Sequence, residues 1–184
     1  MQWRNTSNRF GLVSIVLHWG VALVVFGLFG LGLWMVGLDY YSGWYKTAPD
    51  IHKGIGILLF LVMLARVGWR FVSPPPPALP NHDRLTRLGS KLGHLALYLG
   101  LFAIMVSGYL ISTADGRGIA VFGLFEVPAT LTSIPDQEDV AGAIHEYLAW
   151  GLVIFAGIHA LAALKHHFID RDATLTRMFG RAAK

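Results

Sequence analysis

Three stretches of this chain run uncharged for long enough to cross a membrane: Phe10 to Leu38, Leu92 to Ala114 and Tyr147 to Leu164. A helix needs roughly 18 or more apolar residues to span the hydrocarbon core. A backbone inside lipid must satisfy its own polar groups, so these stretches predict helices and exclude open sheet edges. A fourth span is expected from Ile51 to Val72, although Lys53 and Arg66 leave only Gly54 to Ala65 uncharged between them; Lys53 can snorkel to the nearer surface. With 54% hydrophobic and 14% charged residues over 184 positions, the chain is too apolar for an ordinary soluble domain. The expectation is an all-α integral membrane four-helix bundle forming a single domain over residues 1–184, with the lipid bilayer as its first partner.

The chain has no cysteine, which excludes disulfides, thiolate-held iron–sulfur clusters and covalent haem attachment through C-x-x-C-H. Arg4 and Arg9 before a long apolar run imitate a signal peptide, but the run is too long for one and carries a histidine and a tryptophan, so it reads as an uncleaved first helix. Lysine and arginine are distributed unevenly. Arg4 and Arg9, then Arg66, Arg70, Arg84, Arg87 and Lys91, then Lys165, Arg171, Arg177, Arg181 and Lys184 fall on one side, against Lys46, Lys53 and Arg117 on the other. This bias predicts a multi-pass membrane protein with both termini in the cytoplasm. It also accounts for the net charge of +4 without a nucleic-acid partner. The opposite face, with Asp39, Asp50, Asp115, Glu126, Asp136, Glu138, Asp139 and Glu146, is net acidic.

Between the second and third spans, the run Pro74 to Pro77 cannot continue a helix and predicts an extended connector. Asp115 to Asp139 is long for a helix connection, and its apolar part, Ile119 to Phe125, is suited to lie on the membrane surface or cap a cofactor.

His145 and His159 lie fourteen residues apart in the last apolar stretch, which on an α-helix returns them to nearly the same face about 21 Å apart along the axis. One helix then holds two ligands at two depths. The first helix runs outward, putting His18 about 12 Å inside Phe10 near the cytoplasmic side; the second returns with His52 at its outer end. The depth-matched pairs are His18 with His159 and His52 with His145. Bis-histidine ligation needs neutral imidazoles on opposite faces of a porphyrin, which facing helices provide. Two b-type haems and electron transfer are the reading this pattern supports. A single membrane histidine also serves as an interhelical hydrogen-bonding group, and only the pairing of four argues for more.

His94 shares the depth of His18 and His159 and competes as a ligand, whereas His82, in the polar loop, reads as a solvated side chain. Arg66, fourteen residues after His52, faces the bundle at the cytoplasmic depth, where a cation suits haem propionates. His166, seven residues after His159, falls at the cytoplasmic edge, where a histidine can protonate a quinone; snorkelling and surface exposure are the plainer alternatives for these two.

The segments Ser14-Ile-Val-Leu-His-Trp19, Ile51-His-Lys-Gly-Ile-Gly56, Gly93-His-Leu-Ala-Leu-Tyr98, His145-Glu, His159-Ala, Lys165-His-His-Phe and Asp172-Ala-Thr-Leu-Thr-Arg-Met178 resemble the bacterial cytochrome b561 family over nearly the whole chain. The resemblance implies a four-helix bundle with two haem b groups, ligated by His52 with His145 and by His18 with His159. It also implies a superoxide:ubiquinone oxidoreductase, with superoxide as outer donor, ubiquinone as acceptor and His166 as the quinone-side histidine. The alternative is a cytochrome b anchor subunit serving a dehydrogenase or hydrogenase as redox partner. A histidine-lined metal transporter is weak, because no Cys, Met or carboxylate cluster accompanies the histidines. Capture of an anion at the acidic outer face requires Lys46, Lys53 and Arg117 to cluster locally, with Lys53 placed beside His52.

Overall fold

The computed structural model describes residues 2–132 and 134–182; Lys184, counted above among the basic residues, lies outside them. All four expected spans are helical: α1 (Leu12–Met35), α2 (Thr47–Val72), α3 (Arg84–Thr113) and α4 (Gln137–Phe168). Each is long and apolar enough to cross a bilayer. A short hairpin, β1 (Ile119–Val121) with β2 (Phe125–Val127), lies between α3 and α4, and a single turn, α5 (Thr174–Arg177), follows α4.

The apolar runs understate the last two spans. α3 begins at Arg84 and α4 at Gln137, so Arg84, Arg87 and Lys91 stand on a helix and not in the connector, as do Glu138, Asp139 and Glu146 at the other end. Local chemistry explains these starts. The Asp83 side chain accepts a hydrogen bond from the Thr86 amide at 2.8 Å, an N-cap that satisfies a free backbone donor. Glu138 and Asp139 lie in the first turn of α4, and Lys165, His166 and His167 in its last, each favourable to the helix dipole. α2 stops at Val72, one residue before Ser73 and the proline run, as proline requires.

The long connection after α3 is more ordered than its composition suggests. Its strands pair antiparallel, with Ile119 opposite Val127 and Val121 opposite Phe125. The tight turn places Phe122 at φ 51° and Gly123 at φ 73°, both left-handed, as a type I′ hairpin turn demands. Val121 is fully buried and Ile119 nearly so.

The described chain divides into two compact units, and all four long helices contribute residues to each. Unit 1 comprises residues 1–22, 62–98 and 154–184. In it, the Asn5 side chain donates to the Ser73 carbonyl at 2.7 Å, tying the N-terminal tail to the end of α2. Arg177, only 6% exposed, donates to the Pro77 carbonyl at 3.0 Å. Trp19 donates to the Met178 carbonyl at 3.0 Å and stacks on Phe179. Unit 2 comprises residues 23–61 and 99–153. There, Phe60 packs on Phe102 and Phe29 on Trp150, and Gln137 donates to the carbonyls of Leu110 and Leu131. Large apolar side chains cover the helix exteriors, Leu23 at 74% and Leu161 at 66% exposure among them, which suits contact with lipid.

The hairpin is seated on α2 at Gly54, where a Cβ would stand 2.8 Å from the Phe122 ring. Gly54→Val should therefore cost about 1–3 kcal/mol through overpacking, read as a lowered midpoint of thermal unfolding in detergent. Combining it with Phe122→Ala should recover part of that loss, because the clash is with that ring.

Candidate functional site

In unit 2, α2 carries His52 and α4 carries His145, with ring centroids 6.1 Å apart and planes at 68°. The His145 Nδ1 lies 3.0 Å from the Ile104 carbonyl, which only accepts, so this nitrogen is the donor and Nε2 is left free. Ser107 adds a second contact to Nδ1 at 3.2 Å. Gly108 makes the approach possible, because a Cβ there would stand 3.0 Å from the imidazole. His52 packs beside Gly32, and its buried Nδ1 has no hydrogen-bond partner among the described residues.

In unit 1, His18 of α1 faces His159 of α4 with centroids 6.4 Å apart and planes at 66°. His94 of α3 lies closer to His159, at 5.3 Å, and its Nδ1 is held 2.7 Å from the Ser90 carbonyl. Arg66 reaches the same place from α2: its guanidinium donates to the His18 Nδ1 at 3.1 Å and lies over the Tyr98 ring. Among the described residues Arg66 has no carboxylate partner.

These spacings bear on the group the histidines can hold. Two imidazoles on opposite sides of one metal ion, each bonded at about 2 Å through a nitrogen about 1 Å from its ring centre, stand with centroids about 6 Å apart. The separations of 6.1 Å and 6.4 Å match this; the 5.3 Å of His94 to His159 is shorter. In unit 2, two facing nitrogen donors with no third ligand among the described residues would suit a haem iron better than a closed tetrahedral ion. The residues present therefore fit haem, with Arg66 as a cation free to meet a propionate.

The remaining site candidates lie elsewhere. His166 is drawn into a carboxylate cluster, its Nδ1 3.0 Å from Asp172 and 2.8 Å from Asp170. No hydrogen bond or ring contact joins it to Arg66 or His159 among the described residues. His82 is not a solvated loop side chain: it is 12% exposed, and its Nε2 lies 3.0 Å from Asp172. Burial raises the Asp172 carboxyl, but hydrogen bonds from the Thr174 side chain and amide and from His82, with the charge of His166, hold it well below the usual carboxylate range. In unit 2, Lys53 pairs with Asp50 at 2.9 Å, and Arg117 pairs with Asp115. Hydrogen bonds from Arg117 lower the Asp115 carboxyl, and the charge of Lys53 adds to them.

Sequence reading missed Ser107, Gly108 and Gly32, which shape the histidine pair of unit 2. It also missed Asp172, the acceptor shared by His82 and His166.

Four helices long and apolar enough to cross a membrane, with facing half-buried histidines, define a multi-pass membrane protein of the haem-binding, electron-transferring class. A family model described as prokaryotic cytochrome b561 matches residues 9–181, and the chain belongs to that family. It is 56% identical over 183 residues to "Cytochrome b561 homolog 2" of Escherichia coli (strain K12), covering 100% of this chain and 97% of that protein. It is 30% identical over 172 residues to "Probable superoxide oxidase CybB" of Yersinia pestis, covering 93% and 96% respectively. A further relative, "Cytochrome b561 homolog 1" of Escherichia coli (strain K12), is 29% identical over 177 residues, covering 95% of this chain and 98% of the relative. Haem b is the cofactor that this family implies.

Proposed function

We propose that the chain binds two haem b groups, one between His52 and His145 and one between His18 and His159, and oxidises superoxide at the expense of ubiquinone in the bacterial inner membrane, with both termini cytoplasmic. The observation that carries this reading is the pair of centroid separations, 6.1 Å and 6.4 Å, both suited to one iron between two imidazoles. When bound, the haems supply one-electron carriers at two depths. Each superoxide gives up one electron and leaves as dioxygen, and ubiquinone takes two electrons and two protons to become the quinol. The name of the Yersinia pestis relative supports the superoxide half of this reaction.

The chain's own groups have defined tasks in it. Ile104 and Ser107 orient His145 with Nε2 free. Arg66 neutralises a propionate by turning from the His18 Nδ1, which then carries the ring proton and leaves Nε2 as the ligand atom. Lys53, next to His52, attracts the superoxide anion, while Asp50 opposes it by pairing with the same ammonium. His166 passes a proton toward quinone, its ring held by Asp170 and Asp172.

One observation favours a second reading, the cytochrome b anchor that receives electrons from a docked dehydrogenase or hydrogenase. Lys53 and Arg117 are both engaged by aspartates, so the acidic face is better matched to a basic protein surface than to a small anion.

Replacing His52 or His145 with Ala should remove one haem, and replacing His18 or His159 the other, each halving the haem b measured per chain; His94→Ala should keep both. Loss of a haem in His94→Ala with none lost in His18→Ala would reassign the pair in unit 1.

Stopped-flow mixing of the oxidised protein with superoxide separates enzyme from anchor. An oxidase shows fast haem reduction with no partner, and added ubiquinone reoxidises it catalytically. At low salt, Lys53→Ala should slow that reduction several-fold and Asp50→Asn should quicken it, both differences shrinking as salt screens the charges. Slow reduction that is indifferent to both substitutions would identify the anchor.

A further inference from the structure

Unit 1 contains a second convergence of ligand atoms, built from three separated pieces of chain. His82 comes from the connector after the proline run, His166 from the last turn of α4, and Asp172 from the turn beyond it. The Asp172 Oδ2 lies 3.0 Å from the His82 Nε2 and 3.0 Å from the His166 Nδ1, and all three ligand atoms fall within 4.8 Å of one another. Asp172 is 6% exposed, His82 12% and His166 17%, so the cluster is largely withdrawn from water.

We infer that His82, His166 and Asp172 form a binding site for a divalent first-row transition cation, with zinc the best match to the donor set. Two imidazole nitrogens and one carboxylate oxygen are a donor set that zinc accepts, with bonds of about 2.0–2.2 Å that place tetrahedral ligand atoms about 3.3 Å apart. The distances of 3.0 Å lie within a few tenths of an ångström of that geometry. Hard cations such as magnesium or calcium prefer oxygen ligands and suit this set poorly.

The surroundings hold the three ligands in place. The Thr174 amide donates to the other carboxylate oxygen, Oδ1, at 2.8 Å, turning Oδ2 toward both rings. Arg171 adopts φ 53°, a left-handed conformation uncommon outside glycine, and Asp172 returns its amide to the His166 carbonyl at 3.0 Å, which folds the chain back over that histidine. Arg87 donates to the His82 carbonyl at 2.8 Å, fixing the connector. Asp170 is shared with Lys165 at 2.7 Å, so water is the better fourth ligand, reaching the ion from the cleft lined by Asn81, Asp83 and Thr86. A bound ion fastens the connector to the end of α4. It takes the His166 Nδ1, the atom through which Asp170 and Asp172 hold the ring in the proposed proton transfer, so zinc would block that transfer while the site itself does not depend on quinone being the acceptor.

The test uses the haem-loaded protein in detergent, stripped with EDTA and dialysed against micromolar zinc, with zinc and haem quantified per chain. Wild type should hold one zinc per chain, and His167→Ala, which alters a neighbouring histidine outside the cluster, should do the same. His82→Gln, which keeps a donor to Asp172 but not a ligand nitrogen, and Asp172→Asn should bind about tenfold more weakly or worse, with haem content unchanged. Zinc should raise the thermal midpoint of wild type and not that of His82→Gln. Should His82→Gln fail to retain haem, the comparison rests on Asp172→Asn. A wild type that holds no zinc, or a variant that holds as much as wild type, overturns the proposal.

Discussion

Hydrocarbon offers no hydrogen-bond partner, so each polar group inside the spanning helices must find one within the protein. The backbone meets this requirement by being helical. The side chains meet it locally: Ser107 donates to the Ile104 carbonyl, Ser112 to that of Gly108 and Thr113 to that of Tyr109. A buried polar group left without a partner costs about 1–3 kcal/mol. Against that background the His52 Nδ1, buried and unpaired, is an exception, and it falls on a proposed ligand. The imidazoles that the other contacts orient, His145 by Ile104 and His94 by Ser90, are each held through Nδ1, so their Nε2 atoms are the ones left for other work.

The charged groups of the two units are handled differently. In unit 2, Lys53 and Arg117 each stand against an aspartate, and the pairs are exposed enough to contribute little to stability. In unit 1, Arg66 and Arg177 are set among carbonyls and rings without a carboxylate partner among the described residues. A guanidinium partly or wholly withdrawn from water and met only by neutral groups retains its attraction for an anion, and its planar fork suits a carboxylate. This is why Arg66 is assigned to a haem propionate while Lys53 is assigned to a passing anion. The first site offers an uncommitted charge, the second a shared one.

The spans and the facing histidines were legible in the sequence because both are periodic signals: uncharged runs of membrane length, and a fourteen-residue return on one helix face. Helix ends were less legible, since α3 and α4 continue into charged water-side segments where hydropathy says nothing and only a cap such as Asp83 marks the start. The hairpin at Ile119 to Val127 escaped because strands of three residues carry too little alternation to be seen. Ser107 and Gly108 escaped for a related reason: one small residue in an apolar helix has no pattern, and its value depends on which ring stands opposite. His82 was misread because a polar loop is ordinarily solvated, whereas here the left-handed turn at Arg171 brings Asp172 back to cover it.

Relatives that cover nearly all of this chain bear different names, a cytochrome b561 homolog at 56% identity and a probable superoxide oxidase at 30%. A histidine pair that suits iron serves an oxidase and an anchor equally well. What differs between the two proposed roles is what would approach the His52–His145 pair, an anion of two atoms or a protein surface, and approach is governed by exposed charge. Lys53 and Asp50 together form a short dipole whose field falls off faster than that of a free ammonium, so it guides an anion only over the last few ångströms. A protein partner, spread over a whole face, responds instead to the summed acidic charge. On the proposed function, the choice between small-molecule chemistry and docking turns on whether the local cations near His52 or the acidic residues expected on that side dominate the approach path.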